Sequence, residues 1–234
     1  MLAGYRVRDG RSDIMVMGVE EEGDSIRLGL IINNPYAQNA SANYLFNTGE
    51  WYNCVCTYDK LGGQGTDVLV LRFDNTLSVL SKKLTTGAVE TGSCIIEDGE
   101  DRFLVLGNRV NESGRSELVV YRITTSGHPI TNSVLIATIT EGNSDLEGRR
   151  FVKTPDGRYA IVGTRTVDGE SDLFLQFLTQ DYNVGERKLF GSAGDQTGAD
   201  IELAGDDAML LLGTTLYENN GMITLIKTGL SGDL

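Results

Sequence analysis

The sequence predicts an all-β protein, and three observations support that prediction. Glycine accounts for 29 of the 234 residues, roughly 12% where about 7% is usual, while proline occurs only 3 times. Strand-sized apolar runs alternate with turn residues, and no segment shows sustained helical periodicity. A pattern of about fifty residues recurs along the chain. Many short strands joined by tight turns explain all three observations.

The composition also excludes several classes of partner. Asp and Glu number 33 against 20 Lys and Arg, so the formal net charge is −13. Nucleic acids and anionic lipid surfaces attract clustered positive charge, so we expect neither as a partner. No stretch approaches 18 consecutive apolar residues, so we expect no transmembrane segment, and residues 1–10 lack the apolar core of a secretion signal.

The repeat is marked by an anchor residue, a glycine or cysteine that follows one apolar strand and precedes a polar loop. The anchors are Gly4, Cys56, Gly107, Gly163 and Gly213. The steps between them are 52, 51, 56 and 50 residues, and each period holds four strand-sized runs. Four antiparallel strands repeated at this length are typical of a β-propeller blade.

The best-preserved period shows the four strands of one blade, named A to D in chain order. Residues 150–153 form strand A and turn through Thr154-Pro155-Asp156-Gly157 into strand B at 159–163. The turn is favourable because proline presets φ and glycine accepts positive φ. Strand C is expected at 172–178 and strand D near 186–190.

A family resemblance appears in the second half of the chain. Residues 190–201 (FGSAGDQTGADI), followed by Gly213-Thr214-Thr215 and a strand at 223–228, resemble the blade repeat of bacterial surface propellers. Such repeats are common in Bacteroidetes lipoproteins. The resemblance extends in degenerate form over nearly the whole chain. It implies a propeller in an extracellular or cell-envelope location and implies no particular activity.

We predict a single propeller domain over 1–234 with about five blades, the first and last incomplete. The blades are expected at approximately 1–33, 41–84, 92–139, 148–190 and 198–234. Alignment of residues 1–4 with 160–163 places the first residue inside a strand B. The chain is then either part of a longer propeller, which we favour, or its incomplete blades are completed by closure or by self-association.

Ligand sites are expected where the B–C and D–A loops open on one face. Two residues after the anchor stand Arg6, Arg109 and Arg165, with Tyr58 and Thr215 in the other blades. Three arginines on one rim can bind a carboxylate or sulfate. Alternatively, each arginine stabilises its own blade by pairing with a nearby acid. The acids proposed for that role are Asp9, Glu112 and Asp168.

Aromatic and acidic residues complete the predicted rim. Tyr36, Tyr58 and Tyr217 fall in predicted loops, where their rings can stack on a sugar or a protein. Acid-rich loops containing Asp145 and Asp195 make calcium possible, although no loop has EF-hand spacing. The predicted ligand-binding rim is Arg6, Tyr58, Arg109, Arg165, Tyr217, Asp145 and Asp195. We expect a glycan or protein ligand and no other cofactor.

The cysteines are expected to be buried side chains. Cys54 and Cys56 stand two apart on one face of a predicted strand, where a disulfide would strain the backbone, and Cys94 is left over. With one histidine and no CxxC motif, zinc has few ligands available.

A glycoside hydrolase of five-bladed type is the alternative to binding. It needs two carboxyl groups about 5 to 9.5 Å apart. Only one predicted blade brings carboxylates, Asp200 and Glu202, to an inner strand, and Asp200 can instead pair with Arg150. His128 lies in a predicted outer turn, a poor place for a Ser-His-Asp site. The sequence therefore predicts a non-catalytic binding or scaffold module.

Overall fold

The computed structural model describes residues 2–8, 11–19, 26–32, 40–47, 51–59, 65–74, 76, 78–84, 88–126, 129–191, 193–218 and 220–234. Within these residues it contains eighteen β-strands and no helix. The strands form five antiparallel sheets, three of four strands and two of three. The all-β class and the incomplete first and last blades are therefore confirmed.

Strands that follow each other in sequence are neighbours in every sheet. The first sheet contains β1 (Leu2–Arg8), β2 (Arg11–Val19) and β3 (Ile26–Ile32), and the second contains β4 (Ala40–Asn47), β5 (Trp51–Asp59), β6 (Thr66–Asp74) and β7 (Val79–Leu84). The third contains β8 (Val89–Gly99), β9 (Arg102–Val110), β10 (Ser116–Thr125) and β11 (Ile130–Ile139). The fourth contains β12 (Asp145–Lys153), β13 (Tyr159–Val167), β14 (Glu170–Leu178) and β15 (Val184–Phe190), and the fifth β16 (Asp195–Leu203), β17 (Ala208–Tyr217) and β18 (Asn220–Gly229).

The chain divides into two compact units, each with its own core. Unit 1 is Met1–Arg109 with Tyr121–Val134, and unit 2 is Val110–Val120 with Leu135–Leu234. In unit 1, Ile14 and Val16 of the first sheet pack against Cys54 and Leu71 of the second. The core of unit 2 lies between the fourth and fifth sheets. Its buried members include Val162, Leu175, Ile201, Met209 and Leu211.

The three cysteines are free and buried, as predicted. The Sγ atoms of Cys54 and Cys56 lie 3.5 Å apart on β5, close enough for a weak S–H contact. Burial raises the pKa of the Cys56 thiol well above its usual value. Both side chains act as small apolar residues in the core of unit 1.

Strand A of the fifth sheet passes directly against the anchor Gly163 of the fourth. The N–H of Gly198 donates to Oγ1 of Thr164 at 3.2 Å. A Cβ on Gly198 would lie 2.5 Å from the carbonyl oxygen of Gly163, so no side chain fits there. In unit 1 the N–H of Gly92 donates in the same way to Oγ1 of Thr57 at 3.0 Å.

A β-bulge interrupts strand A at equivalent places in three sheets. The register shifts between Ala42 and Tyr44, between Gly148 and Arg150, and between Gly198 and Asp200. A bulge adds one residue and redirects the side chains that follow it. In unit 2 the bulges precede Arg150 and Asp200, the two inner-strand residues whose pairing was predicted.

The hairpins are tighter than the sequence predicts. Residues 165–171, which lie between the predicted strands B and C and are expected to form a loop, instead contain a two-residue turn at Asp168 and Gly169, whose φ angles of 51° and 91° suit a hairpin turn. Pairing continues through Arg165 with Asp172 and Val167 with Glu170. The prediction is wrong here because polar residues on a half-exposed sheet pair their backbones as well as apolar ones do. For the same reason Asp145 belongs to β12 rather than to a loop.

The turn at 154–157 forms as predicted, with Gly157 at a φ of 84°. The Asp156 carboxylate accepts hydrogen bonds from Nε of Arg158 and Oγ1 of Thr154. Arg158 is the main cause of a lowered Asp156 pKa, which falls from 3.8 to about 2. The ionised carboxylate is therefore more favourable in the folded chain than in the unfolded one.

Asp156→Asn is expected to lower the free energy of unfolding at pH 7 by about 0.5 kcal/mol, a small effect because the side chain is 42% exposed. The folded pKa is depressed, so the charge stabilises the fold above pH 4 and this contribution is lost as the pH falls toward 2. Urea unfolding at pH 7 and pH 2.5 measures it. A parent–variant difference that is equal at both pH values would contradict an electrostatic cause.

Candidate functional site

The turns and loops of unit 2 that join strands B to C and D to A gather at one end, here called the loop end. Its described residues are 111–115, 140–144, 168–169, 191, 193–194 and 217–218. Two aspartates join neighbouring parts of it. Asp145 accepts the backbone N–H of Ser116 at 2.8 Å, and Asp195 accepts that of Ser171 at 2.9 Å.

The two aspartates were predicted as rim residues, and both occupy the first position of a strand A. Each carboxylate binds the beginning of a strand C in the preceding sheet. The N–H of Ser116 is the main cause of a lowered pKa at Asp145, and Arg115, at 2.9 Å, adds to it. These contacts give Asp145 and Asp195 a structural role between sheets.

In the third sheet, whose β8 lies in unit 1, no carboxylate stands at the equivalent position. Val89 stands three residues before Gly92, the position that Asp145 and Asp195 hold relative to Gly148 and Gly198. The buried Oγ1 of Thr66, at the start of β6, has no hydrogen-bond partner among the described residues.

The residue two places after the anchor forms a polar pair with the residue directly opposite it on strand C. The pairs are Arg6 with Asp13 at 3.0 Å, Tyr58 with Asp67 at 3.1 Å and Arg165 with Asp172 at 3.8 Å. Arg6 thus pairs with Asp13, and Arg165 faces Asp172 rather than the expected Asp168, because these residues are opposite each other in the strand register. Asp9 lies outside the described residues.

The remaining rim candidates have different surroundings. Tyr58 is only 4% exposed, so its ring is not open to a ligand, contrary to the prediction for an exposed loop aromatic. Arg109 is half-buried at the end of β9, and Oγ1 of Thr215 contacts Oγ1 of Thr224 at 2.6 Å. Tyr217 is 43% exposed at the end of β17. Tyr36 and His128 lie outside the described residues.

A charged cluster on the fourth sheet was not predicted from the sequence. Glu141 accepts a hydrogen bond from Nε of Arg165 at 2.7 Å, one from Oγ of Ser144 at 3.0 Å, and one from Arg187. Arg187 also donates from Nε to the amide oxygen of Gln176 at 2.9 Å. Two arginines therefore converge on one carboxylate that the protein itself supplies.

Burial and charge act in opposite directions on this cluster. Burial by itself would raise the pKa of Glu141, but hydrogen bonds from Arg165 and Ser144 and the charges of both arginines bring it below its usual value. Burial lowers the pKa of Arg187. Since arginine stays protonated at any ordinary pH, the cluster is an ionised network at neutral pH.

The arginines at and near the loop end form ion pairs with acidic side chains, but several acids there are not contacted by a described cation. Arg115, Arg165 and Arg187 all pair with carboxylates. Three turn residues, Glu112, Asp168 and Glu218, and the adjoining Glu170 at the start of β14 have exposed acidic side chains. The accessible part of the loop end is therefore negatively charged.

The candidate catalytic carboxylate Asp200 is held by Arg150, as the sequence predicts. Nε of Arg150 donates to Oδ1 at 2.8 Å and Nη2 to Oδ2 at 3.2 Å. Burial would raise the pKa of Asp200, but the paired guanidinium brings it below the usual value. A general acid needs the opposite shift. Glu202, two residues along β16, is exposed.

The described residues contain no group of three or more His, Cys, Asp or Glu side chains that could hold a metal ion. They also contain no helix of the length and apolar character needed to cross a membrane. Calcium binding stays a prediction.

The likeness to known proteins lies in the fold. No protein-family model matches the sequence. No curated protein matches it. The crystal structure of endo-arabinase from Bacteroides thetaiotaomicron matches with a TM-score of 0.54 at 10% identity, covering 98% of this chain and 90% of that one. The WD40 domain of SCAP from fission yeast gives a TM-score of 0.28 at 8% identity over 93% and 71% of the two chains.

The first of these structures is a propeller, and together with the five antiparallel sheets it identifies this chain as a β-propeller. The propeller fold that the repeat predicted is confirmed. Membership of the bacterial surface repeat family stays a prediction, because identity this low establishes only the fold.

Proposed function

We propose that the chain is a non-catalytic binding module whose loop end in unit 2 recognises a positively charged protein surface. The charge balance supports this proposal. The protein's own acids pair with the arginines that would attract an anion, while four acids in or beside the turns are exposed to solvent. Clefts and rims of one sign raise the local concentration of partners of the opposite sign.

Tyr217 provides the contact surface for such a partner. Its exposed ring lies at the end of β17 beside Glu218, whose φ of 48° turns the chain into β18. An aromatic face next to a carboxylate can hold a lysine or arginine side chain by a cation–π contact and an ion pair. A neutral glycan could stack on the same ring, and it is the second ligand to be tested. The cell-envelope location implied by the repeat resemblance belongs to this proposal.

Glycoside hydrolysis is the alternative, and the neighbour described as an endo-arabinase is the reason to test it. The geometry of Asp200 does not favour it. A carboxylate that receives two hydrogen bonds from Arg150 and has a lowered pKa is a poor proton donor to a leaving group. We therefore expect no turnover of arabinan by the parent chain.

The double variant Tyr217→Ala with Glu218→Gln is expected to weaken binding of a deca-lysine peptide about tenfold, which corresponds to about 1.4 kcal/mol. Isothermal titration at 50 and 200 mM salt measures the effect, and the parent affinity should fall as salt rises. Tyr182→Ala is the matched control. Tyr182 lies in the β14–β15 turn, its ring stacks on that of Tyr159, and it is not part of the loop end.

Three results would contradict the proposal. The first is no peptide binding by the parent chain. The second is binding of a sulfated oligosaccharide that Arg165→Ala removes while the fold survives, which would favour the arginine rim. The third is arabinan turnover that Asp200→Asn abolishes, which would establish the hydrolase alternative. Titrations with and without calcium test the calcium prediction separately.

A further inference from the structure

Arg187, on the outer strand of the fourth sheet, is held in position by neighbours on its own hairpin. Its Nε donates to the amide oxygen of Gln176 at 2.9 Å, and its guanidinium carbon lies 5.5 Å from the centre of the Phe174 ring. Gln176 is fixed in turn, because its amide nitrogen donates to three backbone carbonyl oxygens of β14 and β15. Arg187 therefore has contacts that do not depend on Glu141.

Arg165, on β13, also has a neighbour other than Glu141. Its Nη1 lies 3.8 Å from Oδ2 of Asp172, the residue opposite it on β14. Nε of Arg165 donates to Oε2 of Glu141 at 2.7 Å, and Nη1 of Arg187 donates to the same oxygen. Planar guanidinium groups that converge in this way suit a carboxylate.

The carboxylate between the two arginines comes from a loop rather than from the sheet. Glu141 lies between the end of β11 at Ile139 and the start of β12 at Asp145. Its carbonyl oxygen accepts hydrogen bonds from the N–H and the Oγ of Ser144, at 2.9 and 2.8 Å. The loop thus has internal hydrogen bonds of its own. The Glu141 side chain is 35% exposed, so its place between the arginines is open to solvent on one side.

The charges around this place indicate which kind of anion fits it. Without Glu141, the two guanidinium groups and the carboxylate of Asp172 leave one net positive charge. A carboxylate neutralises that charge, as Glu141 does. A dianion such as sulfate would bring a second negative charge next to Asp172.

We propose that Arg165 and Arg187 form a binding site for a carboxylate, which Glu141 occupies in the folded chain and thereby keeps closed. An external carboxylate, such as the acidic side chain of a peptide, binds there only when the 140–144 loop moves away. The contact of Glu141 with the arginines is then autoinhibitory. The inference is independent of the proposed function, because the exposed tyrosine and glutamate proposed for peptide binding take no part in it.

Thermal melting of the full chain at pH 7, in 100 mM sodium acetate and in 100 mM sodium chloride, tests the proposal. Glu141→Ala removes the internal carboxylate and leaves space for an external one. A ligand that binds only the folded chain raises its stability, so acetate should raise the melting temperature of this variant by about 3 °C over chloride. The parent should change by less than about 1 °C, because Glu141 competes with acetate. Isothermal titration should show acetate binding at least about tenfold tighter in the variant.

Two variants at single positions serve as controls. Glu147→Ala removes a carboxylate that forms an exposed pair with Arg149 on β12, and its response to acetate should equal that of the parent. Glu141→Gln removes the charge but fills the same space, so it should respond much less than Glu141→Ala. Addition of Arg187→Met to Glu141→Ala should abolish the response. Circular dichroism confirms that each variant is folded.

The proposal is overturned if folded Glu141→Ala responds to acetate no more than Glu147→Ala does. It is also overturned if Glu141→Gln responds as strongly as Glu141→Ala, or if Arg187→Met leaves the response intact. A response of Glu141→Ala to sodium sulfate of the same ionic strength that exceeds both its acetate response and the sulfate response of Glu147→Ala would show that the site prefers a dianion, contrary to the proposal.

A folding defect in Glu141→Ala also gives a decisive result. If the variant is unfolded in chloride, recovery of its circular dichroism in acetate supports the proposal, and no recovery overturns it. None of these measurements involves the deca-lysine peptide, so the carboxylate site and the proposed function can fail separately.

Discussion

Gly198→Ala is expected to lower the free energy of unfolding by about 3 kcal/mol, because the new methyl group would overlap backbone atoms of the neighbouring sheet. The new Cβ would lie 2.5 Å from the carbonyl oxygen of Gly163 and 2.9 Å from its carbonyl carbon and nitrogen. All three are backbone atoms, and Gly163 is paired with Gly148 on one side and Phe174 on the other. Relief of the clash therefore requires the fifth sheet to move away from the fourth.

Urea unfolding followed by circular dichroism measures this change, and Gly221→Ala is its control. A Cβ on Gly221 would have no atom within 4 Å, and its φ is not positive. There alanine should leave stability unchanged or raise it by about 0.5 kcal/mol, because it restricts the unfolded chain. Equal effects of the two substitutions would show that the sheets are not in tight contact at Gly163.

The repeat predicted the fold because its anchors reflect a real packing constraint. A Cβ on Gly163 would clash with the carbonyl oxygen of Glu147, and one on Gly213 with that of Thr197, in each case on strand A of the same sheet. Gly4 shows the limit of this argument. It has the same place in the pattern, yet a Cβ there would meet no atom within 4 Å.

Strand ends and loop contents were less predictable. Runs such as residues 165–171 are polar, and polar composition alone suggests a loop. Backbone pairing extends through them because the facing residues satisfy each other, as Arg165 and Asp172 do. The side-chain pattern of one strand does not by itself predict that backbone pairing continues. The residue opposite it on the neighbouring strand must be considered as well.

The site was predicted where its residues share a place in the repeat. Arg150 and Asp200 are 50 residues apart, one repeat step, and the period brings them together on neighbouring inner strands. Arg187 and Glu141 are 46 residues apart and occupy different positions in their blades. No periodicity links them, so their convergence with Arg165 depends on the path of the 140–144 loop, which the sequence did not specify.

The charged cluster around Glu141 is expected to contribute substantially to the stability of the fold. Arg187→Met retains much of the side chain's volume and its packing near Phe174 but removes the guanidinium. We expect a loss of about 1.5 kcal/mol at pH 7, less than for a fully buried pair, because Glu141 keeps Arg165 and Ser144 as donors. The amide oxygen of Gln176 also loses a donor, which contributes to this cost.

The pH dependence distinguishes loss of the ion pair from loss of packing. Glu141 has a folded pKa below its unfolded value of 4.5, so its ionisation stabilises the fold above pH 4.5 and this contribution is lost as the pH falls through the folded pKa. Urea unfolding should show the full difference between parent and Arg187→Met at pH 7 and a smaller one at pH 3. Lys188→Met, on the same strand with exposed partners Glu186 and Asp233, should have a smaller effect at pH 7. If Arg187→Met is as stable as the parent at pH 7, the pair between Arg187 and Glu141 does not contribute to the stability of the fold.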